Sequence, residues 1–439
     1  MCIAGKYIVR FYKVKQIVLE FSPSYGRLTA LFAMTAEKKK IMLLGGLRYL
    51  LPVIRTAHEL GLHVITCDYL PDNIAHRYSD EYHNVSIIDK EAVLKLAQEL
   101  RIDGIMSFAV DPGVVTAAYV AEKMGLPNVG PYESVCILQD KARFREFLRA
   151  HKFNCPWSYG FNSVEAAMAA LSQFSWPAIV KPTDAAGSKG VSRVDSEQEL
   201  LPALHLAMEH SLGGHIIVEE YIEKCGCSSG SDCFVEDGRL VFESFASQRF
   251  DETAANPYTP AGTSWPSTFT DAQETELAAE LQRLVSLLGM STALYNVEAR
   301  VTKDGKPYIM EVSPRGGGNR LAEVIQLSTG VPLIENAVRA SVAMPLLNMQ
   351  NSRCPGNWLL LMIHSDRDGV FKELHIHSHY QKYIVERDLW VSPGDKVRSF
   401  RGANDAIGTL ILKCDTMEQV EFMFSHIAEC VRVVTSEAV

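Results

Sequence analysis

From Lys40 onward the apolar positions follow two rhythms that alternate. A short apolar run, Ile41 to Leu44, gives way after a glycine turn to a helical period over about Tyr49 to Leu60, and a second run, His63 to Cys67, ends at Asp68. That order predicts a βαβ unit. Helical spacing returns over Glu91 to Leu100 and over Val114 to Lys123, on either side of a strand at Gly104 to Phe108. A parallel sheet up to about residue 130 follows from the alternation. Further on, the spacing predicts a helix over Lys141 to His151 and apolar strands at Ala178 to Val180 and His215 to Val218. An amphipathic helix over 272 to 288 turns Leu277, Leu281, Leu284, Leu287 and Leu288 inward. After Met344-Pro345 the helical period stops, and short strand-like runs remain: Trp358 to Ile363, Leu374 to His377, Thr409 to Leu412. The chain so divides into a leader or mis-assigned start over 1–38, expected to be poorly ordered; a parallel α/β domain over 39–135; a larger domain over 136–348; and a small α+β domain over 349–439.

Two alternating segments, Asn296 to Thr302 and Pro307 to Ser313, flank Lys303-Asp304-Gly305-Lys306 and read as a β-hairpin. With Asp304-Gly305 as a two-residue loop, Lys303 faces Lys306, Glu298 faces Glu311 and Asn296 faces Ser313. Directly opposed like charges destabilise a strand pair, so this register calls for a cation between the carboxylates or a proton on one of them. Hard oxygen donors favour magnesium. The other face carries Val297, Ala299 and Val301 against Tyr308, Met310 and Val312, apolar enough to pack on a core. Behind the hairpin, Pro314-Arg315-Gly316-Gly317-Gly318-Asn319-Arg320 adds cations and bare backbone amides, the donors an anionic phosphoryl group needs.

Bulk composition narrows the class. The chain has 439 residues, 47% of them hydrophobic, and a net charge of -9 without a basic run. That excludes nucleic acid as the main partner, since a phosphate backbone requires clustered Lys and Arg. No apolar stretch approaches a bilayer's thickness. Ten scattered cysteines fit reduced thiols in a cytoplasm, and Cys225, Cys227 and Cys233 lack a fourth ligand for a soft metal. Gly45-Gly46 follows the first strand without a Gly-x-Gly-x-x-Gly, which disfavours a dinucleotide site. The loop Thr183-Asp184-Ala185-Ala186-Gly187-Ser188-Lys189-Gly190-Val191 suits a mobile phosphate cover, although an ordinary turn explains it as well. At the end of the 215–218 strand, Glu219-Glu220-Tyr221-Ile222 exposes backbone that can hold a purine edge. His375, His377 and His379 alternate, and three ligands on one straight strand splay apart, so a polar face outweighs a metal site.

Taken in order, Gln139-Asp140-Lys141, Ile179-Val180-Lys181-Pro182, the glycine loop, Val218 to Ile222, Val297-Glu298 and Glu311-Val312-Ser313-Pro314-Arg315 resemble the ATP-grasp superfamily over about 40 to 345. Carbamoyl phosphate synthetase-like proteins and bacterial L-amino-acid ligases are the nearest in kind. Gly262 to Ser267, Leu288 to Glu298 and Asn404 to Gly408 are similar to the ligases. The resemblance implies an ATP-grasp fold in the α/β class, with a pre-ATP parallel-sheet domain before it and the small α+β domain after it. It implies ATP and one or two magnesium ions, manganese being an alternative. Lys141 and Lys181 would contact phosphates and the adenine side, Gly187, Ser188, Lys189 and Gly190 would close over the phosphates, and backbone of Glu220 and Ile222, with Glu219 and Tyr221 beside it, would read the adenine edge. Glu298 and Glu311 would hold the metal, Arg315 and Lys189 would act on the transferred phosphoryl, and Gly316, Gly317, Gly318, Asn319 and Arg320 would meet the substrates.

The reaction so implied joins a small carboxylate, an amino acid in the first instance, to an amine through an acyl phosphate. Two departures leave other readings open. Ser313 stands where the family has a metal-ligating asparagine, which Asn296 across the hairpin could replace. The stretch Glu223 to Asp232 is longer than the usual turn and leaves Glu223 as the ribose-binding acid. A catalytically inactive ATP-binding module and a biotin carboxylase-like enzyme are the alternatives, and relatives of this architecture are often homodimers.

Overall fold

The computed structural model describes residues 38–185, 189–349 and 353–437. The leader expected up to residue 38 lies outside them as far as residue 37. The first apolar runs are strands β1 (Lys40–Leu44), β2 (His63–Cys67), β3 (Glu81–His83) and β4 (Gly104–Ser107), separated by helices α1 (Leu51–Glu59) and α2 (Lys90–Leu100) and followed by α3 (Val114–Met124). They form a parallel sheet in the order β3-β2-β1-β4. Ile41, Met42, Leu43 and Leu44 are fully buried, as a strand covered on both faces must be. Asp89 caps α2 by accepting from Ala92 N, and Gly125 ends α3 in the left-handed region. Asp111 begins the turn between β4 and α3, at the carboxyl end of a parallel strand, where α/β sheets place ligand-facing residues.

Helices α4 (Tyr132–Gln139) and α5 (Lys141–Ala150) lead into β5 (Ser158–Phe161), α6 (Val164–Ala169), β6 (Ala178–Pro182), β7 (Ser192–Val194), α7 (Glu197–His210) and β8 (Ile216–Glu220). These strands make an antiparallel sheet, order β5-β8-β6-β7, on which Leu200, Leu204 and Ala207 of α7 pack. The remaining strands are β9 (Ser229–Glu236), β10 (Arg239–Ser244), β11 (Ser247–Phe250), β12 (Pro260–Trp265), β13 (Ala293–Val301), β14 (Pro307–Ser313), β15 (Asn357–Ile363), β16 (Gly369–Ile376), β17 (Ile384–Leu389), β18 (Lys396–Val397), β19 (Gly408–Cys414) and β20 (Val431–Ser436). Helix α8 (Asp271–Leu287) precedes β13, and α9 (Leu321–Thr329) and α10 (Leu333–Ser341) follow β14.

Nine of these strands form one sheet, ordered β14-β13-β9-β11-β12-β15-β19-β17 with β10 beside β9. The strands after residue 349 thus extend the central sheet through β12 and β15, where Gly262 pairs with Leu361. β18, β16 and β20 make a separate three-stranded sheet. Helices α11 (Met417–Ser425) and α12 (Ile427–Cys430) supply the helical part of the region expected to be α+β, whose apolar pattern had placed only its strands. The signal for α11 was local: Thr416 and Gln419 form a capping box. From Lys39 on, the chain is one compact unit. Among the described residues no helix is long and apolar enough to cross a membrane.

Helix α8 lays Leu277, Leu281 and Leu284 on Val297, Ala299, Val301 and Ile309 of the hairpin. Leu287, expected inward, is 45% exposed, because it closes the helix one step off the stripe. The hairpin register holds at the carboxylates and differs in how it gets there. Gly305 N donates to Thr302 O at 2.9 Å, and Thr302 N donates to Lys306 O at 3.0 Å. The loop is therefore the three residues Lys303, Asp304 and Gly305, with Gly305 at φ +83°, and not Asp304-Gly305 alone. By itself that would slide Glu298 opposite Met310. A bulge at Met310 restores the pairing, so Glu298 faces Glu311 and Asn296 faces Ser313. The same bulge puts Ile309 into the core and leaves Tyr308 and Met310 half-buried, correcting the expected inner face.

Candidate active site

The two hairpin carboxylates stand side by side with little to neutralise them. Burial raises Glu298 above the ordinary carboxylate range and the charge of Glu311 raises it further. Its one hydrogen-bond donor is neutral, Gln248 Nε2 at 3.4 Å. Lys141 Nζ lies 3.5 Å from Glu311 Oε2 and donates to Ala185 O at 3.0 Å. Burial would lower the Lys141 ammonium, but Glu311, Asp111 and Glu298 outweigh it and hold it charged. Asn296 uses its Nδ2 twice, donating to Ser231 O and to Asp232 Oδ1, each at 3.1 Å. Its Oδ1 has no hydrogen-bond partner among the described residues. The Ser313 hydroxyl, by contrast, is engaged: it donates to Asp111 Oδ1 at 3.0 Å and accepts from Gln139 Nε2 at 2.9 Å.

Asp111 also clasps Arg315, whose Nε and Nη2 donate to its two oxygens at 2.8 Å each. This fork-to-fork pair, nearly buried, fixes the guanidinium plane. The segment after Arg315 is fastened at several points. Ala109 N donates to Gly316 O at 3.2 Å, Gly317 N donates to Asp232 Oδ1 at 2.9 Å, and Tyr49 Oη donates to Asn319 Oδ1 at 2.8 Å. Arg320 pairs with Glu323 and Glu386. The expected free amides of the triple glycine are therefore only partly free, since Gly317 is committed to Asp232. Glycine is required there by packing: a Cβ at Gly316 would sit 2.2 Å from Phe108, and one at Gly317 would sit 2.5 Å from Leu321. Asn319 and Arg320 hold left-handed backbone at φ 55° and 65°, and Arg320 serves here as a tie to the C-terminal strands.

At the end of β8 the charges are fully paired. Glu219, buried, is bound by Lys181 Nζ and, at 3.0 Å, by Arg145 Nε. Burial alone would raise Glu219, but Lys181 and Arg145 outweigh it and hold the carboxyl down to about 2. Burial brings Lys181 down to about 8 against the pull of Glu219, with Arg145 and Lys141 adding to the fall. Arg145 Nη1 also donates to Met310 O at 2.8 Å, the carbonyl of the bulged residue. Glu220 N donates to Trp157 O at 2.9 Å within the sheet, Tyr221 N donates to Pro177 O at 3.2 Å, and Ile222 N has no partner among the described residues. Glu223 lies at the surface, paired with Lys303. Lys189 is exposed and Gly190 buried; Gly187 and Ser188 lie outside the described residues.

Structure thus brings together Lys141, Glu298, Glu311, Asn296, Ser313, Arg315 and Gly316 to Arg320, with Lys181 and Glu219 beside them. Sequence reasoning missed Asp111, Arg145 and Asp232. Arg145 had a signal, being charged on the stripe that α5 buries with Phe144 and Leu148. The three histidines do not share a strand face: β16 ends at Ile376, His375 meets Glu373, and His377 Nδ1 accepts from His379 N. Cys225 is exposed while Cys233 is core. No cluster of three or more His, Cys, Asp or Glu suited to a metal occurs among the described residues.

These residues, carried on two antiparallel sheets, are those of an ATP-grasp domain, and the family model for that domain matches residues 138–319. In sequence the chain is similar to the formate-dependent phosphoribosylglycinamide formyltransferase of Synechococcus sp. (strain WH7803), 27% identical over 322 residues that cover 71% of this chain and 79% of that one. It is 26% identical over 263 residues to the carbamoyl phosphate synthase large chain of Thermoanaerobacter sp. (strain X514), covering 59% of this chain and 24% of the relative, so it spans about a quarter of that protein's length. Its fold is shared with the L-amino acid ligase from Bacillus licheniformis (TM-score 0.74, 19% identity, 91% and 99% of the two chains) and with phosphoribosylglycinamide synthetase from Anaerococcus prevotii (TM-score 0.71, 24% identity, 91% and 100%).

Proposed function

We propose that this chain is an ATP- and magnesium-dependent ligase that activates a small carboxylate, an amino acid, as its acyl phosphate and joins it to an amine. The observation that carries the reading is the opposed pair Glu298 and Glu311, with Lys141 3.5 Å from Glu311 and Arg315 near enough to feel its charge. The residues suit the ion. Two crowded carboxylates gain from a divalent cation, and Asn296 Oδ1, left unengaged by the two bonds of Nδ2, supplies a neutral oxygen. Glu298, Glu311 and Asn296 would hold the metal, with Ser313 the weaker partner because its hydroxyl already serves Asp111 and Gln139. When bound, magnesium neutralises phosphoryl charge so that two anions can approach; manganese suits the same oxygens.

The chain's own groups do the rest. Lys141 and Lys181 bind phosphate oxygens, the loop from Gly187 through Gly190 with Lys189 excludes water from a hydrolysable acyl phosphate, and Ile222 N is available to an adenine edge. Arg315, aimed by Asp111, steadies the carboxylate as it takes the phosphoryl group. Glu223 reaches a ribose only by leaving Lys303. The test is a screen of carboxylate and amine pairs for ADP formation with mass analysis of the product. ADP that appears only when both partners are present, with an amide as product, is the expected result. Tight ATP binding with no stimulation by any pair makes the chain an inactive nucleotide-binding module, and stimulation by bicarbonate and biotin alone makes it a carboxylase.

A further inference from the structure

Asp232 sits on β9 between Ser244 of β10 and Asn296 of β13, on the face that carries Glu298. It is fully buried. Its Oδ1 accepts from Asn296 Nδ2 at 3.1 Å and from Gly317 N at 2.9 Å, which fixes the plane of the carboxylate. Its Oδ2 has no partner among the described residues. A buried acceptor left so costs about 1–3 kcal/mol, more when charged, and native structures rarely keep one without a use.

The neighbours do not supply the missing donor. Ser244 Oγ accepts from Trp265 Nε1 at 3.1 Å, and the three Arg315 N–H groups that are engaged go to Asp111 and to Gly316 O, none to Asp232. Both groups that reach Oδ1 are neutral amides, and the Arg315 charge acts on Asp232 without a hydrogen bond, so the carboxylate is oriented but only partly balanced. Directly over it lies the glycine segment. A Cβ at Gly317 would be 2.8 Å from Asp232 Oδ1, and the next two non-glycine residues, Asn319 and Arg320, sit in left-handed backbone that costs about 1–3 kcal/mol each.

We propose that Asp232 is the seat of the ammonium group of an amino-bearing substrate, its Oδ2 accepting the N–H and the Gly316–Gly318 backbone shifting to admit it. The inference deepens the ligase reading and rests on it. An ammonium provides the positive charge and donors that Oδ2 lacks, against the glycine segment that directly follows Arg315. A divalent ion fits less well, since the amide nitrogen of Asn296, and not its oxygen, points at Asp232.

The experiment compares wild type with Asp232→Asn, which keeps a carbonyl for the two donors and replaces the free oxygen with an NH2. ADP release is measured with each common amino acid and its des-amino analogue, with ATP affinity and melting temperature followed in parallel. A charged hydrogen bond predicts that the wild type favours the amino compound at least about tenfold, and that the variant loses this preference through KM while the KM for ATP and the melting temperature hold. Equal use of amino and des-amino partners by the wild type overturns the seat, and so does an unchanged preference in the variant. If the variant does not fold, the wild-type preference alone decides. If the wild type releases no ADP with any pair, the ligase reading fails separately, and calorimetric titration with L-alanine amide then decides: weaker binding to Asp232→Asn supports the seat, and equal or absent binding overturns it.

Discussion

The two ends of the candidate site treat buried charge in opposite ways. Around Glu219 an anion meets two cations, Lys181 and Arg145, so the carboxylate is balanced within the protein and the surplus positive charge is left for a phosphate. Around the hairpin, Glu298 and Glu311 share Lys141, Glu298 feels the charge of Arg300 but takes its hydrogen bond from neutral Gln248, and Asp232 keeps an empty acceptor. A closed set of this kind positions neighbours, and breaking it is costly. An open set is tolerable only if something cationic joins it, which marks where ligands enter. The two ends also touch: Arg145, which belongs to the closed set, holds the carbonyl of Met310 and so the bulge that brings Glu298 level with Glu311.

The hardest blow to the open end is Glu311→Ala. It leaves the cation half-held, and ADP release is expected to fall by about three orders of magnitude or more with the fold retained by circular dichroism. Sharper still is a pair of substitutions with opposite signs. Arg145→Ala, which strips a cation from the closed set, should lower unfolding stability in urea by about 3–5 kcal/mol. Glu298→Gln, which removes repulsion from the open set, should raise the stability of the ligand-free protein by about 0.5–1 kcal/mol while abolishing turnover. A loss of stability in both would erase the distinction drawn here. Asn296→Ala should reduce activity by about 10–100-fold and weaken the dependence on magnesium, and an Asn296 variant with full activity removes that residue from the metal set.

The closed set also has a pH signature. Glu219 is held at about 2 in the folded chain against the ordinary range near 4.5. Its stabilisation is therefore fully present above the ordinary carboxylate range and is lost as pH falls from there through about 2. Urea midpoints measured from pH 6 to pH 2.5 should decline less steeply in Glu219→Gln than in the wild type; parallel declines would deny the pairing any weight. The smallest effect is expected at His377→Ala, in neither set, which should leave the magnesium dependence of ADP release unchanged.

How much of this could be read beforehand depended on distance along the chain. The N-terminal βαβ units and α8 were legible because their period is local, and the hairpin because Asp304-Gly305 marks a turn. Even there, the register came out at the carboxylates only because a longer loop and a bulge cancel, and a bulge has no sequence signature of its own. β9 to β12 are rich in Ser and gave no alternating pattern to follow. Asp111 and Arg315 are separated by 204 positions, and Arg145 and Glu219 by 74. Nothing in either neighbourhood names its partner, although the end of β4 is a place where a parallel sheet commonly puts a working residue.

The six residues from Arg315 to Arg320 have a consequence for assembly. They are tied to Asp111 and Tyr49 from the first sheet's side, to Asp232 in the central sheet, and to Glu386 on a strand contributed after residue 349. Such a stretch works like a keystone: its native shape is tied to all three parts of the chain at once, so loosening any one of them is expected to disturb the candidate site.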